Sequence, residues 1–415
     1  MKIIFANRYF YPDQSATSRM LTSLAFSLAA KGVDVTVIAS RHLHNNNDTR
    51  LPATETVSGV RVVRLGTTGF GRKKLIGRAA DYLTFHLSCL RWLAFNVRSD
   101  DICVVLTDPP MLSATAAPAI ALRGGVMINW IMDLFPEVAM ESGMIGKESL
   151  AGKATLALRN WSLRRAELNV CPIDKMARYL SQQGVPRRQL EVLNHWADGD
   201  EIAPVDPARN RLRKQWGLEG KFVIGYSGNF GRAHDFTTIM DAADMLRGNN
   251  RIRFLFVGEG QRRGWVESEI ARRKLPNTLM KPFQPREKLS ESLGAADIHL
   301  VSLLPELEHC IVPSKFYGIL AAARPTIFIG DTEGEVGTAV RRHGCGAAVS
   351  LGDAKGLVEW ITNLSNAPAR CHSMGENASL LLRQHHSRDN SVQAWAEMLS
   401  AFAPVERYQS LSPAR

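Results

Sequence analysis

Phe222 to Phe236 reads FVIGYSGNFGRAHDF: an apolar strand-like run, three glycines within seven residues, one arginine, and then the start of a helical pattern. A buried strand that ends in a glycine-rich turn and passes straight into a helix is the opening of a βα unit. Such turns can hold phosphate, because backbone N–H groups gather beside the positive end of the helix. Gly225, Gly228 and Gly231 do not fit G-x-G-x-x-G, and the loop after the chain's first strand, Asn7 to Ser18, has no glycine. A dinucleotide dehydrogenase therefore fits poorly. Arg232 adds a permanent cation able to pair with two phosphate oxygens. Alone, the loop is equally consistent with a surface turn and a solvated arginine.

The pattern extends in both directions. Downstream, strand-like runs recur at Ile252–Val257, Thr278–Met280, Ile298–Ser302, Thr326–Ile329 and Ala347–Ser350. Upstream, Lys2–Ala6 reads as a strand and Thr17–Lys31 as a helix closed by Gly32. Further strands follow at Val33–Ala39, Val60–Leu65, Asp101–Leu106, Val126–Trp130 and Leu168–Cys171. Strand and helix in alternation imply doubly wound parallel sheets. A chain of 415 residues exceeds the roughly 250 to 300 at which single cores stop growing. The spacing predicts an N-terminal domain over 1–196, a linker rich in Asp, Pro and charge over 197–220, and a second domain over 221–385. The last segment, 386–415, carries Val392, Trp395, Met398 and Leu399 on one helical face and is expected to pack back on the first domain.

Hydrophobic residues at 45% and charged residues at 22% describe a globular chain. The net charge of +11 favours anionic partners. No paired Cys/His spacing or aromatic-rich RNA-binding signature accompanies it, so nucleic acid is not the expected partner. Six scattered cysteines without a C-x-x-C pair read as reduced thiols, with neither a disulfide framework nor a metal site, and point to the cytoplasm. The start, MKIIFANRYFYP, does not read as a signal peptide. With no spanning segment, any membrane contact is expected to be peripheral.

Three further stretches carry chemistry. In Val312–Pro325, VPSKFYGILAAARP, Pro313 and Ser314 make a helix entry and Lys315 falls in the first turn. Lysine is disfavoured there by the macrodipole, and a bound anion would offset the cost; otherwise the lysine points to water. Asp133 follows an apolar strand, where open α/β sheets place ligands, and is equally readable as the N-cap of the next helix. Gly71–Asn96 has Leu75, Ala79, Tyr82 or Leu83, Leu87 and Leu90 on one stripe, with Arg72, Lys73, Lys74 and Arg78 at its start. Such a helix suits an anionic membrane surface, or else is a core helix with a solvated basic end.

Taken in order, YFYPDQSATSRMLTSLAFSLAAKGVDVTVI, MDLFPEVAMESGMIG, NHWADGDEI, YSGNFGRAHDF, FLFVGEG, LMKPFQPREKL, AADIHLVSL and PSKFYGILAAARPTIFIG span nearly the whole chain. They resemble the family-four glycosyltransferases, especially the branch that builds bacterial surface polysaccharides such as O antigen and colanic acid. The resemblance implies a GT-B fold, two Rossmann-like domains facing each other across a cleft. It implies a nucleotide-diphosphate sugar, a UDP-sugar by expectation, bound to the second domain, with the acceptor received by the first. Gly228 and Arg232 would meet the donor diphosphate, Ser314 and Lys315 would hold it from the other side, Phe283 would lie by the nucleobase, and Glu306 would contact sugar or ribose. Asp133 would orient or deprotonate the acceptor, or touch the donor sugar. Ser15, Ala16 and Thr17, where relatives often carry two glycines, would line the cleft. No metal or cofactor is expected.

The sequence also departs from that pattern. The two glutamates that many members carry beside the donor sugar would fall at Cys310 and Gly318, and the lysine after the loop arginine is replaced by the run Ala233-His234-Asp235. The leading expectation is a metal-independent, retaining sugar transferase on the inner face of the cell membrane, acting on a polyprenyl-diphosphate-linked or saccharide acceptor. The alternatives are a nucleotide-sugar 2-epimerase-like enzyme and a non-catalytic donor-binding subunit. His195, His234 and His309 are open between catalytic and structural roles.

Overall fold

The computed structural model describes residues 2–44, 46, 49–71, 75–197 and 202–402. Among these, the strands are β1 (Ile3–Ala6), β2 (Val35–Ser40), β3 (Thr54–Val57), β4 (Val60–Leu65), β5 (Ile102–Leu106), β6 (Val126–Trp130), β7 (Leu168–Cys171) and β8 (Leu190–Val192), followed by β9 (Phe222–Ser227), β10 (Ile252–Val257), β11 (Thr278–Lys281), β12 (Ile298–Ser302), β13 (Thr326–Ile329) and β14 (Gly346–Val349). The helices are α1 (Ala16–Ala30), α2 (Leu75–Asn96), α3 (Leu112–Leu122), α4 (Glu137–Glu141), α5 (Leu150–Arg165), α6 (Asp174–Gln182) and α7 (Arg211–Gln215), then α8 (Thr237–Met245), α9 (Arg263–Arg273), α10 (Leu289–Gly294), α11 (Lys315–Ala321), α12 (Glu335–Arg342), α13 (Ala354–Asn366), α14 (Pro368–His385) and α15 (Arg388–Ser400).

The chain divides into two units: residues up to Asn194 with His309–Val312 and the described chain from Ser391, and His195–Glu308 with Pro313–Asn390. The first unit holds a sheet in the order β3-β4-β2-β1-β5-β6-β7-β8, parallel except where β3 runs against β4. Central strands such as β1, IIFA, are apolar on both faces because helices cover both sides. The sequence pattern passes over β3, whose TETV is half exposed, and β8, which is three residues long. Neither offers a hydrophobic run to read. Gly32, at φ +82°, closes α1 where an L side chain would strain. In α15, Trp395 is buried and its ring lies 4.6 Å from that of Trp130 at the end of β6.

The second unit holds a parallel sheet, β11-β10-β9-β12-β13-β14. Its core joins Ile224, Phe254, Phe256, Ile298 and Ile327 to Ile239, Leu357 and Ile361 of the covering helices. The stretch expected as a linker behaves differently from its composition. Asp206 and Asn210 cap short turns, Arg213 of α7 pairs with Asp297 at 2.9 Å, and Leu212 and Leu218 are buried. Its charges serve caps and an ion pair within the second unit. Asp198 to Glu201 of the NHWADGDEI motif, and Arg72 to Lys74, lie outside the described residues. All six cysteines are buried and unpaired. Among the described residues, no helix is long and apolar enough to cross a membrane.

Candidate functional site

In the second unit the chain goes from β9 outward to β10 and β11, then returns to build β12 on the other side of β9. The loops leaving β9 and β12 therefore border the point where strand order reverses, where open α/β sheets bind ligands. The β9 loop is pinned by aromatic packing. Phe230 is buried and stacks on Phe236 with ring centroids 5.2 Å apart, and Tyr226 sits against both at 5.1 and 4.9 Å. The N–H of Gly228 donates to Val257 (2.9 Å) and that of Phe230 to Glu259 (2.8 Å). Gly258 is required here: a Cβ would stand 2.0 Å from the Gly228 carbonyl oxygen. The loop's polar tip is thereby held out while its apolar residues fill the core.

The β12 loop is stitched to that tip. The N–H of Leu304 donates to the Ala233 carbonyl (2.9 Å), Ser302 Oγ donates to the Asp235 carbonyl (3.0 Å), and His234 Nδ1 lies 2.5 Å from the Ser302 carbonyl. Lys315, at the start of α11, crosses the gap. Its Nζ donates to the Tyr226 hydroxyl, lies 4.0 Å from that ring's centroid, and is 3.4 Å from His234 Nε2. A Cβ on Gly228, which has φ +136°, would be 3.3 Å from Lys315 Cε. The lysine is half-buried, with its ammonium turned onto Tyr226 and His234 instead of pointing to water. With burial around it and neutral partners only, its pKa falls to about 7.

One expectation is corrected. The amino terminus of α8, the helix that follows the glycine loop, is occupied by its own sequence: the Asp235 carboxylate accepts from Thr237 (3.1 Å) and Thr238 (3.0 Å). The positive end of that helix is already capped, so the free cationic character beside Gly228 comes from Lys315. Arg232 is exposed, with no partner among the described residues. Ser314 is exposed at the N-cap of α11 and makes no side-chain cap bond. Glu306 is exposed in the single turn Pro305–Leu307, on the loop bonded to Ala233. Phe283 is 53% exposed just beyond β11, two strands from β9. The structure thus brings Gly228 and Lys315 into contact, sets Arg232 and Glu306 on neighbouring loops, and leaves Phe283 apart. Sequence reading left the role of His234 open and missed Tyr226, whose only signal was a hydroxyl-bearing side chain in an otherwise apolar run beside the glycine turn.

In the first unit Asp133 stands just beyond β6. It is not a helix cap: the N-cap of α4 is Pro136. The carboxylate is accessible and has no hydrogen-bond partner among the described residues, yet the protein around it and the charge of Asp108 raise its pKa to about 6. Asp133, Thr107, Asn129 and Arg159 line a cavity of about 30 Å³, room for a water-sized group. The turn carrying Asp133 is anchored by Leu134 N–H to the Cys310 carbonyl (2.9 Å) and by buried Glu137, whose Oε1 accepts from Arg159 and from the Tyr179 hydroxyl (3.0 Å). Of the residues expected to line the cleft, Ser15 donates its hydroxyl to Asp13, Ala16 is exposed and Thr17 half-buried.

A family model described as a glycosyl transferase 4-like domain matches residues 15–196, and one described as glycosyl transferases group 1 matches 208–380. The chain belongs to the group 1 glycosyltransferases. It is 24% identical to a probable glycosyltransferase, WbjE, of Pseudomonas aeruginosa over 73% of this chain and 75% of that one. It is 27% identical to a putative colanic acid biosynthesis glycosyl transferase, WcaI, of Escherichia coli strain K12 over 52% of this chain and 54% of that one. Among solved structures it is similar to Anabaena HepE in complex with UDP (TM-score 0.71, 14% identity, 97% of this chain and 100% of that one). It is likewise similar to sucrose-phosphate synthase from Thermosynechococcus elongatus (TM-score 0.74, 16% identity, the same coverage). The fold of this group 1 transferase is GT-B, two Rossmann-like units.

Proposed function

We propose that this transferase moves a sugar from a nucleotide-diphosphate sugar, a UDP-sugar in the first instance, to a lipid-linked or polysaccharide acceptor in surface polysaccharide biosynthesis. The observation that carries the reading is Lys315, an ammonium without a carboxylate partner among the described residues, set against Gly228 at the strand-order reversal of the second unit. Solved relatives of the same fold bind UDP, and one curated relative is named for colanic acid biosynthesis.

In this reading Lys315 and Arg232 neutralise the donor diphosphate, Gly228 lets it approach the backbone, and Ser314 offers a hydroxyl. The bond from the anomeric carbon to the diphosphate breaks with its electron pair going to phosphate, and preorganised cations stabilise the charge that develops. The acceptor hydroxyl oxygen bonds to that carbon on the leaving group's own face, giving retention, and its proton passes to the departing phosphate or to Asp133. Glu306 and Phe283 are candidates for the sugar and the base.

The acceptor side brings in α2. Its core face is Asp81, Phe85, Cys89 and Leu93; of the stripe read from the sequence, Leu83 and Leu87 point outward at 59% and 57% exposed while Leu90 packs against the core, and Ile76 and Phe95, outside that stripe, are 85% and 76% exposed. Exposed apolar side chains on one helix face, with exposed Arg91 beside them and a net charge of +11, suit the anionic inner face of the cell membrane, where a lipid-carried acceptor would reside.

The test is a thermal-shift panel of nucleotide-sugars followed by assay of free nucleotide diphosphate. Stabilisation by one donor, and nucleotide release only when acceptor is added, are expected. No response to any nucleotide-sugar overturns the donor reading; isomerisation of donor without acceptor identifies an epimerase instead.

A further inference from the structure

We infer that His234 is a positioning residue that holds Lys315 in its donor-binding pose, acting as a neutral acceptor whose tautomer is fixed from behind by the Ser302 carbonyl. The inference rests on the reading of Lys315 as a ligand of the donor diphosphate.

The tautomer follows from chemistry. A backbone carbonyl can only accept, so the nitrogen 2.5 Å from the Ser302 carbonyl, Nδ1, must carry the ring proton. In the neutral ring Nε2 then presents a lone pair, and Lys315 Nζ, which can only donate, lies 3.4 Å from it. Protonating the ring would put N–H against ammonium. His234 is buried, and burial together with the Lys315 charge drives its pKa to about 3, so the ring stays neutral throughout the working range.

The arrangement has a purpose that a carboxylate could not serve. An Asp or Glu at position 234 would fix the lysine equally well and would also cancel its charge. Tyr226 and His234 supply two hydrogen bonds and no negative charge, so the ammonium is oriented yet uncompensated. A nucleoside diphosphate arriving beside Gly228 provides the compensation. Ser302, the last residue of β12, sets the ring angle, and its own hydroxyl fixes the Asp235 carbonyl. The strand, the loop and the lysine are thereby geared together.

The experiment measures UDP affinity by calorimetry and the His234 tautomer by nitrogen-15 NMR on the full chain. His234→Leu, which offers no acceptor, is expected to weaken UDP binding about tenfold, and His234→Gln, which can still donate to Ser302 and accept from Lys315, to restore most of it. In a Lys315→Met background, His234→Leu is expected to add nothing further, because both changes remove one interaction. A full, additive loss in that background means His234 acts independently of Lys315 and overturns the inference, as does unchanged affinity in His234→Leu. Should the leucine variant not fold, the wild-type spectrum decides alone: a lone pair at Nε2 supports the assignment, and a proton there overturns it. If Lys315→Met itself leaves UDP affinity unchanged, the donor reading fails, while the tautomer still reports whether His234 holds the lysine.

Discussion

Lys315 and Asp133 are two candidate site residues whose pKa values are displaced by their surroundings in opposite directions. Desolvation lowers the lysine to about 7, so its ammonium is present below that pH and lost above it; the surrounding protein and the charge of Asp108 raise the accessible aspartate to about 6, so its carboxylate is present above that pH. If one binds the donor and the other serves the acceptor, kcat/KM for the donor should follow a narrow bell with limbs near 6 and 7. Bound diphosphate stabilises the ammonium, so the alkaline limb in kcat should move upward relative to kcat/KM. Profiles measured in both parameters check this, and a flat profile between pH 5 and 8 contradicts it. Lys315→Met should lower kcat/KM by roughly 10- to 100-fold, the equivalent of a charged hydrogen bond of about 1.5–3 kcal/mol. Arg232→Ala should cost less, because the guanidinium is exposed and held by no partner among the described residues; initial rates at varied donor concentration compare the two.

Among the elements, α2 makes the sharpest claim. Leu83→Glu with Leu87→Glu alters only outward-facing positions, so melting temperature should hold within about 2 °C, surface changes being worth roughly ±0.5 kcal/mol. Sedimentation with anionic phospholipid vesicles should fall severalfold, whereas neutral vesicles should bind neither protein; equal sedimentation by variant and wild type removes the membrane role. This helix also illustrates what sequence makes legible. The apolar stripe Leu83, Leu87 was readable from spacing, but not which of two apolar faces is buried, because Phe85, Cys89 and Leu93 form a second stripe that the neighbouring helices select. The central strands were readable since each is a continuous apolar run between turn signals. Gly228 and Lys315 could be picked out by type and context. The Tyr226–Lys315–His234 contact could not, because it joins positions 81 and 89 residues apart through tertiary packing alone. Asp235 misled in the opposite sense: the glycine loop suggested an open helix terminus, and a single residue type at the right offset had already closed it. Glu137→Gln in α4 belongs to the same scale. Leaving the Arg159 guanidinium buried without its partner should cost about 3–5 kcal/mol, read from urea unfolding, and a cost below 1 kcal/mol would show that pair to be dispensable.

Across the whole molecule, neither unit is a contiguous piece of chain. The first unit is completed by His309–Val312, which supplies the Cys310 carbonyl to Leu134, and by α15, which brings Trp395 against Trp130. Family-model boundaries near residue 196 suggest a place to cut, but the packing argues that such a cut leaves an apolar wound, with the indole of Trp130 and the Val392–Trp395–Leu399 face of α15 separated. A fragment ending at Asn194 should therefore bind hydrophobic dyes and unfold without a cooperative transition, although it contains every strand of its sheet. In the intact chain, Trp395→Ala removes a large fully buried aromatic side chain and should cost about 3–5 kcal/mol. For a unit of this size that corresponds to a loss of roughly 6–20 °C in Tm, at about 2–4 °C per kcal/mol. Adding UDP tests how local the damage is. If the donor site is built from the second unit alone, UDP affinity in Trp395→Ala, measured well below its Tm, should match wild type even though stability has dropped. A parallel loss of UDP affinity would mean that the first unit's packing reaches the donor site, and the two units would then have to be treated as one folding and binding entity.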